Sequence, residues 1–221
     1  MIFLVSKNTP WSKKLYSTVS REIECKWFSD KSYKDKLREL DPDWIFFFHW
    51  SRIVPEDIYK NNRCVVIHTG NLPRARGGSP LQNQILDGII ESKVNAISME
   101  EEVDSGDVYC SLPITLQGTI TDIWLSIADR AHNLIKECVR GDLSPKKQIG
   151  EVQKYRRNKN NKLPIENTND LIKIHKFIQM LDGETYPRAF LEIGKFRLEF
   201  SRSKLNDTHI LSDVLIRKID E

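Results

Sequence analysis

The sequence predicts an α/β fold: a Rossmann-like, mostly parallel sheet with helices on both faces, plus a small C-terminal α+β unit. Two observations point to the sheet. Short apolar runs alternate with amphipathic segments from the first residue to about residue 140. Two of these runs, residues 44–50 and 63–68, are almost wholly apolar, as expected for central strands buried on both faces. A third observation, one helical segment followed by three strand-like runs near the end, predicts the small unit.

The first elements follow from local signals. Residues 2–5 predict a buried strand, and Thr9 with Pro10 provides an N-cap and a proline at the first position of a helix that runs to residue 19. The other elements expected in this part are strands at residues 24–28, 44–50, 63–68, 93–100 and 108–114, and helices at residues 31–40, 55–59, 79–86 and 120–139.

The pattern divides the chain into a catalytic domain (residues 1–145), a linker (146–165) and the small unit (166–221). The small unit is expected to hold a helix at 169–180 and strands near 190–193, 196–201 and 210–216. It has too few residues for much core of its own, so it should pack on the first domain or on a partner subunit. The basic run at 154–162 is either a solvated linker or a phosphate-contacting segment.

Composition excludes several classes of protein. The 221 residues carry 34 basic and 31 acidic side chains, and this balance gives little support for bulk nucleic-acid binding. The residues before position 10 do not resemble a signal peptide, and no apolar run could span a membrane, so a cytoplasmic location is expected. Dinucleotide fingerprints and P-loops are also missing. Four cysteines are expected to be buried, reduced thiols: Cys25, Cys64, Cys110 and Cys138.

Two polar residues stand out as candidates for catalysis. His68 ends a central strand and enters a loop of turn residues and arginines, at the sheet edge where α/β proteins bind ligands. Asp104 lies in the sequence Val-Asp-Ser-Gly, which on its own is also a common turn. A carboxylate near a histidine can fix its tautomer and accept a proton, and acyl transfer to an amine needs both functions.

These segments, in this order, resemble the formyltransferase family that uses N10-formyltetrahydrofolate. That family has the motif H-x-S-x-L-P, its continuation R-G-x-x-P and a later D-x-G, which match residues 68–73, 76–80 and 104–106. The likeness covers roughly residues 40–140. Within the family, the segment from Arg76 to Ile85 looks like that of the bacterial nucleotide-sugar N-formyltransferases.

The resemblance implies a division of roles. A protonated His68 would stabilise the oxyanion, and Asp104 would support it and relay the proton of the amine. The folate site would include Trp50, Ile53, Val54, Met99, Glu100, Glu102 and Val103. Arg74 and Arg76 are candidates for diphosphate contact, with surface charge as the alternative, and Gly77, Gly78 and Gln82 complete the expected substrate site. No metal is expected.

Two positions depart from the family pattern. Gly70 stands where the family has serine, and Val66 stands where it has the catalytic asparagine. Because loss of one oxyanion donor can raise a barrier by about 2.7–4 kcal/mol, another amide should replace it. The nearby amides are Asn71, Gln82 and Asn83, and we assign Asn83 as the third catalytic residue, although a turn or a solvated helix surface would also account for them.

The sequence therefore predicts formyl transfer to an amino-deoxy sugar on a nucleoside diphosphate, for surface-glycan synthesis, by a homodimer without nucleic-acid or membrane partners. The homodimer rests on the family resemblance. The alternatives are methionyl-tRNA formyltransferase, glycinamide ribonucleotide formyltransferase, and a paralogue that binds folate or a nucleotide sugar without turnover. The short C-terminal unit and balanced charge argue against the tRNA enzyme.

Overall fold

The computed structural model describes residues 1–141 and 143–219. The strands of its first part are β1 (Ile2–Ser6), β2 (Cys25–Phe28), β3 (Trp44–Phe48), β4 (Cys64–Thr69), β5 (Arg76–Gly77), β6 (Glu91–Ser98) and β7 (Val108–Thr115). The helices are α1 (Pro10–Val19), α2 (Tyr33–Leu40), α3 (Glu56–Asn61), α4 (Pro80–Leu86) and α5 (Ile120–Arg140). Each expected element of this part is present, within a few residues of its expected ends.

Six of these strands form one sheet in the order β2-β1-β3-β4-β6-β7, and this confirms the predicted fold class. The first four are parallel, whereas β6 runs antiparallel to both of its neighbours. The chain moves outward from β1 to β2 and then returns to β3 on the other side of β1. This reversal leaves a crevice at the carboxyl ends of β1 and β3, the usual position of a ligand site in such sheets.

The core lies on both faces of the sheet. All five residues of β3 are buried, because its alternate side chains enter two different apolar clusters. One cluster includes Trp11 and Leu15 of α1 and the apolar face of α5, and the other includes Tyr33 and Ile58 from the α2 and α3 side. Helix α1 begins as expected, since the hydroxyl of Thr9 accepts from the backbone N–H of Ser12 at 3.3 Å.

The C-terminal part adds β8 (Lys154–Tyr155), α6 (Leu171–Gln179), β9 (Ala189–Ile193), β10 (Phe196–Leu205) and β11 (Ile210–Lys218). The last three strands form an antiparallel sheet in the order β11-β10-β9. Phe177 and Ile178 of α6 belong to the same apolar cluster as α1 and α5. The unit therefore has no separate core and packs on the first domain.

Residues 146–157 are here called the strap. Their polarity predicts a solvated linker, but their backbone pairs with the first domain. Strand β8 pairs in parallel with β5, and Lys146 pairs with Val108 at the start of β7. The backbone of this exposed segment is thus bonded to the elements that follow His68. A polar sequence with many basic residues carries no signal for such pairing, because β5 and β8 are only two residues long.

Other predictions concern chemistry outside the site. All four cysteines are free thiols, and burial raises the pKa of both Cys25 and Cys64 to about 12. Within the described residues, no helix combines the length and apolarity needed to cross a bilayer. The same residues contain no group of three or more His, Cys, Asp and Glu side chains placed to hold a metal ion.

Candidate active site

His68 lies near the end of β4, buried to 5% exposure, and both of its ring nitrogens face acceptors. Nε2 lies 2.7 Å from the carbonyl oxygen of Ala75, and Nδ1 lies 3.3 Å from Oδ1 of Asp104. A neutral imidazole has one N–H and one lone pair, so it can satisfy only one of these acceptors. The arrangement therefore offers each ring nitrogen an acceptor, Asp104 at Nδ1 and the Ala75 carbonyl at Nε2.

Asp104 sits in the turn between β6 and β7, with a left-handed backbone at φ 59°. Its Oδ2 accepts a hydrogen bond of 2.9 Å from the backbone N–H of Gly77. Burial alone would raise the pKa of this carboxyl, but the His68 charge and hydrogen bond, the Gly77 N–H and Arg76 outweigh it and lower the pKa. The carboxylate is thus held ionised beside the histidine.

Gln148 of the strap positions this turn, and the sequence offered no sign of it. Its Nε2 donates to the carbonyl oxygens of Asp104 at 2.9 Å and Gly106 at 2.8 Å. Its Oε1 accepts from Nε of Arg76 at 3.0 Å. Gly106 has no room for a side chain, because a Cβ there would lie 1.8 Å from the carbonyl oxygen of Ser98. The position of Asp104 is therefore set from several sides.

The two candidate catalytic residues open onto a cavity of about 1020 Å³ at the carboxyl edge of the sheet. Most of the predicted binding residues line it, as sequence reasoning expected, although their contacts with a ligand stay predictions. These residues are Trp50, Ile53, Val54, Gly77, Gly78, Gln82, Met99, Glu100 and Val103. Such a volume is at the upper end of the range for small-molecule sites.

Arg74 and Arg76 do not line the cavity, so their assignment to diphosphate contact is corrected. Arg74 is exposed, and its nearest acid is Glu151 at 3.6 Å. The guanidinium of Arg76 is buried between Gln148 and Glu102, the latter at 3.6 Å. Arg76 is consequently a residue that supports the Asp104 turn, and its charge is not directed at a substrate.

Two further assignments change for similar reasons. Glu102 lies outside the main cavity, and its carboxylate is 2.6 Å from Nζ of Lys154. Glu102 therefore contacts the strap, and its assignment to the folate site is corrected. Asn83 also lies outside the cavity. Its Nδ2 is within 3.0–3.1 Å of the carbonyl oxygens of Gly78, Ser79 and Arg156, which leaves no free donor for an oxyanion.

Val66 faces the cavity from β4, at the position where the family resemblance placed an asparagine. The amide side chains that do line the cavity are Asn8, Gln82, Asn158 and Asn161. Asn71, considered from the sequence, is exposed outside it. Of the three amides considered from the sequence, Gln82 is therefore the one that the fold brings to the cavity.

His49 is a cavity residue that received no catalytic role from the sequence. It follows β3 with φ 47°, and its ring lies 4.3 Å from that of Trp124, with Trp11 and Tyr186 nearby. Nδ1 accepts from Nε1 of Trp11 at 2.9 Å, so the proton of the neutral ring is on Nε2. Burial, and then the charge of Lys7, lower the pKa of His49 to about 3. The ring is thus a neutral N–H donor beside the cavity.

Comparison with known proteins identifies the family behind this geometry. The family model described as "Formyl transferase" matches residues 2–139, more than half of the chain. The chain belongs to the formyl transferase family. This family consists of enzymes that use formyl donors, and both His68 and Asp104 lie within the matched domain. A second model, described as "Methionyl-tRNA formyltransferase, C-terminal domain", matches residues 160–217.

Curated relatives of this formyl transferase are named as methionyl-tRNA formyltransferases. The protein from Campylobacter jejuni is 28% identical over 78% of this chain and 58% of its own length. The protein from Lactobacillus delbrueckii is 32% identical over 54% of this chain and 38% of its own length. The chain thus spans less than two thirds of the curated relatives it matches.

Solved structures share the whole fold. One described as methionyl-tRNA formyltransferase from Clostridium thermocellum is 36% identical, has a TM-score of 0.91 and covers 99% of both chains. A 4-N formyltransferase from Francisella tularensis is 13% identical with a TM-score of 0.66, covering 100% of this chain and 98% of its own. Aquifex aeolicus HypX in complex with tetrahydrofolic acid is 19% identical with a TM-score of 0.73, covering 91% of this chain and 37% of its own. The last two likenesses concern the fold.

Proposed function

We propose that this chain transfers a formyl group from N10-formyltetrahydrofolate to the primary amine of an acceptor. The observation that carries the proposal is the His68–Asp104 pair, which opens onto a large cavity within a domain of the formyl transferase family. Each member of the pair is held by backbone groups, His68 by the Ala75 carbonyl and Asp104 by the Gly77 N–H. A site fixed in this way needs little reorganisation during reaction.

The residues suggest how the protein contributes to the chemistry. The donor, when bound, supplies an electrophilic formyl carbon, which the neutral amine attacks as the bond to the departing folate nitrogen breaks. In this proposal a protonated His68 stabilises the negative charge that develops on the formyl oxygen through its own charge, because both of its ring nitrogens already face acceptors. The ionised Asp104 accepts the proton that the amine loses and relays it to the departing folate nitrogen.

The cavity fits a folate in three respects. It has room for a ligand of that size. Apolar side chains for an aromatic ring system come from Trp50, Val54 and Met99. The indole N–H of Trp50 is buried and has no hydrogen-bond partner among the described residues, as expected for a donor that a ligand satisfies. All three are among the seven residues that the family resemblance placed in the folate site.

Methionyl-tRNA is the first candidate acceptor. It is supported by the names of the relatives, by the family model over residues 160–217, and by the solved structure that covers 99% of both chains. This candidate replaces the nucleotide sugar that the sequence placed first. An acceptor of this kind would have to bind outside the cavity, with only its aminoacyl end entering it.

An amino sugar carried on a nucleoside diphosphate is the second candidate. It is supported by the segment after Arg76, by the small C-terminal unit that has no core of its own, and by three cationic side chains that line the cavity: Lys7, Arg52 and Arg157. A small acceptor would lie wholly inside the cavity.

The deciding experiment supplies purified protein with N10-formyltetrahydrofolate and either methionyl-tRNA or a panel of nucleotide-linked amino sugars. Release of tetrahydrofolate and formylation of the acceptor are both measured. Transfer to one acceptor class establishes the activity and chooses between the candidates. Binding of folate and an acceptor without transfer to either class would contradict the proposal and favour a non-catalytic binding protein.

A further inference from the structure

Three basic side chains line the cavity and have no acidic partner. Lys7 follows β1, Arg52 follows β3, and Arg157 ends the strap. Among the described residues, no carboxylate lies within 4.0 Å of their cationic groups, although the chain has many ion pairs elsewhere. The charge of Arg52 contributes, after the hydrogen bonds to Ser32, to the lowered pKa of Asp30, but the two side chains form no ion pair. Arg52 and Arg157 are exposed and Lys7 is half-buried, so the three charges are accessible to a ligand that carries negative groups.

The three charges also act on one another. Burial, and then the charges of Arg157 and Arg52, lower the pKa of Lys7. The three side chains therefore converge on one region even though they come from three separate segments. Mutual repulsion of this kind is relieved when a ligand of opposite charge is bound between them.

Each arginine makes a contact at the cavity wall in the absence of a ligand. The guanidinium of Arg52 lies 5.6 Å from the ring centroid of Trp50, a cation–π arrangement. The contacts of Arg157 are made by its backbone, which packs on Gly78 so closely that a Cβ added to Gly78 would be 2.8 Å from the Arg157 nitrogen. The amide of Asn83 donates to the preceding carbonyl, that of Arg156. The backbone that carries Arg157 is thus fixed, while its side chain is exposed.

Apart from Asp104 beside His68, the acidic side chains of the cavity cluster around Tyr59. Glu56, Glu100 and Glu101 surround Tyr59, whose pKa is raised by burial and then by the charges of these carboxylates. The cavity thus has a basic region where β1 and β3 end and an acidic region around Tyr59. A ligand with a localised negative group would take one orientation in such a field.

We propose that Lys7, Arg52 and Arg157 form a subsite for a ligand that carries two adjacent negative groups. The subsite rests on the proposed function, because it would fix the outer part of a substrate whose reacting part lies at His68. Planar guanidinium groups bind phosphate oxygens bidentately, so the diphosphate of a nucleotide-linked acceptor matches the set. The glutamate carboxylates of a folate have the same chemistry and are the second source.

The test compares binding to the wild type and to Lys7→Met, Arg52→Gln and Arg157→Gln by calorimetry. The probes are inorganic pyrophosphate, UDP, dTDP and GDP in one arm, and tetrahydrofolate with one or with three glutamates in the other. Lys13→Met and Arg74→Gln serve as matched controls, because both residues are exposed and outside the cavity. Melting temperatures confirm that each variant is folded. Since no transfer is measured, the result is independent of the proposed function.

We expect each cavity variant to weaken nucleotide binding at least tenfold, with controls unchanged, and the wild-type affinity to fall as salt rises. If the cavity variants lose affinity only for tetrahydrofolate with three glutamates, that result would also support the subsite and assign it to the folate. Equal affinities in wild type, cavity variants and controls would overturn the proposal. It would also be overturned if the wild type bound none of the nucleotides and bound tetrahydrofolate with one glutamate as tightly as with three.

Discussion

The indole N–H of Trp11 donates to Nδ1 of His49 over 2.9 Å, so that a residue of α1 sets the tautomer of a histidine at the cavity. The bond holds the ring neutral among aromatic side chains, where burial lowers its pKa to about 3. Unlike His68, which faces two acceptors, His49 faces a donor. The two histidines of the cavity thus differ in the groups that their ring nitrogens face.

The first prediction concerns acid stability. An unfolded histidine has a pKa near 6.5, so between about pH 6.5 and 3 the unfolded chain binds a proton that folded His49 does not. The free energy of unfolding should therefore fall with decreasing pH in this range, by up to about 1.4 kcal/mol per pH unit from this group. Urea unfolding of His49→Gln should lose that part of the slope, and His209→Gln, at an exposed site, should keep it. Identical slopes in His49→Gln and wild type would contradict the assignment.

The second prediction concerns the catalytic pair. His68→Gln and Asp104→Asn should each lower the turnover of formyl transfer at least ~100-fold, because each removes a charge needed in the transition state. Asn retains an oxygen that can accept from the Gly77 N–H, so the melting temperature of Asp104→Asn should change little. Asp129→Asn on the surface of α5 is the matched control. Near-normal turnover in both variants would exclude the proposed mechanism.

The third prediction separates structure from catalysis at Asn83. Asn83→Ala should lower the free energy of unfolding by about 0.5–1.5 kcal/mol, because three partly buried or exposed backbone carbonyl groups lose their donor. Turnover should stay within about threefold of the wild type at a temperature where the variant is folded. Asn61→Ala, which removes one exposed hydrogen bond to Asp57, is the control. A large loss of turnover with unchanged stability would instead restore Asn83 as a catalytic residue.

The fourth prediction concerns the turn that carries Asp104. Gly106→Ala places a methyl group against the Ser98 carbonyl, so strand β6 or the turn must move. We expect a destabilisation of about 1–3 kcal/mol, as in overpacked cores, together with a loss of turnover at least tenfold. Ser105→Ala, at the neighbouring half-buried residue, removes only an exposed hydrogen bond to the Glu102 carbonyl and should alter neither quantity appreciably. Wild-type activity in Gly106→Ala would show that the turn tolerates displacement.

The fifth prediction is the homodimer, which remains untested. Strand β11 is the outer strand of its sheet and exposes Leu211, Leu215 and Ile216 by half or more. Edge strands of this kind pair with a second chain unless charge prevents it. Light scattering should give about twice the 25.8 kDa of one chain, and Leu215→Lys should reduce it to one chain. Ile149→Lys, at an exposed residue of the strap, should leave the mass unchanged.

The sequence predicted the sheet well because apolar runs such as β3 and β4 report burial directly. The family resemblance also predicted that Asp104 supports His68, and the fold places the two side chains 3.3 Å apart. Sequence reasoning failed where the outcome depended on the path of a polar segment. Arg76 and Asn83 had the right chemistry for a ligand, but the strap lies across them and uses their donors. Lys7 was missed because only the folded chain brings it to the cavity, and Arg157 was covered only by the alternative that residues 154–162 contact phosphate.

Because Gln148 of the strap supports the Asp104 turn, we expect activity to require that the exposed strap is not cut. Ile149, next to Gln148, is 91% exposed, whereas the apolar clusters on both faces of the sheet lie away from it. A protease that cuts here would leave the cores intact and release the residue that braces Asp104. We expect the cut protein to melt near the temperature of the uncut protein and yet to be inactive. A single cut would then abolish formyl transfer without unfolding the chain.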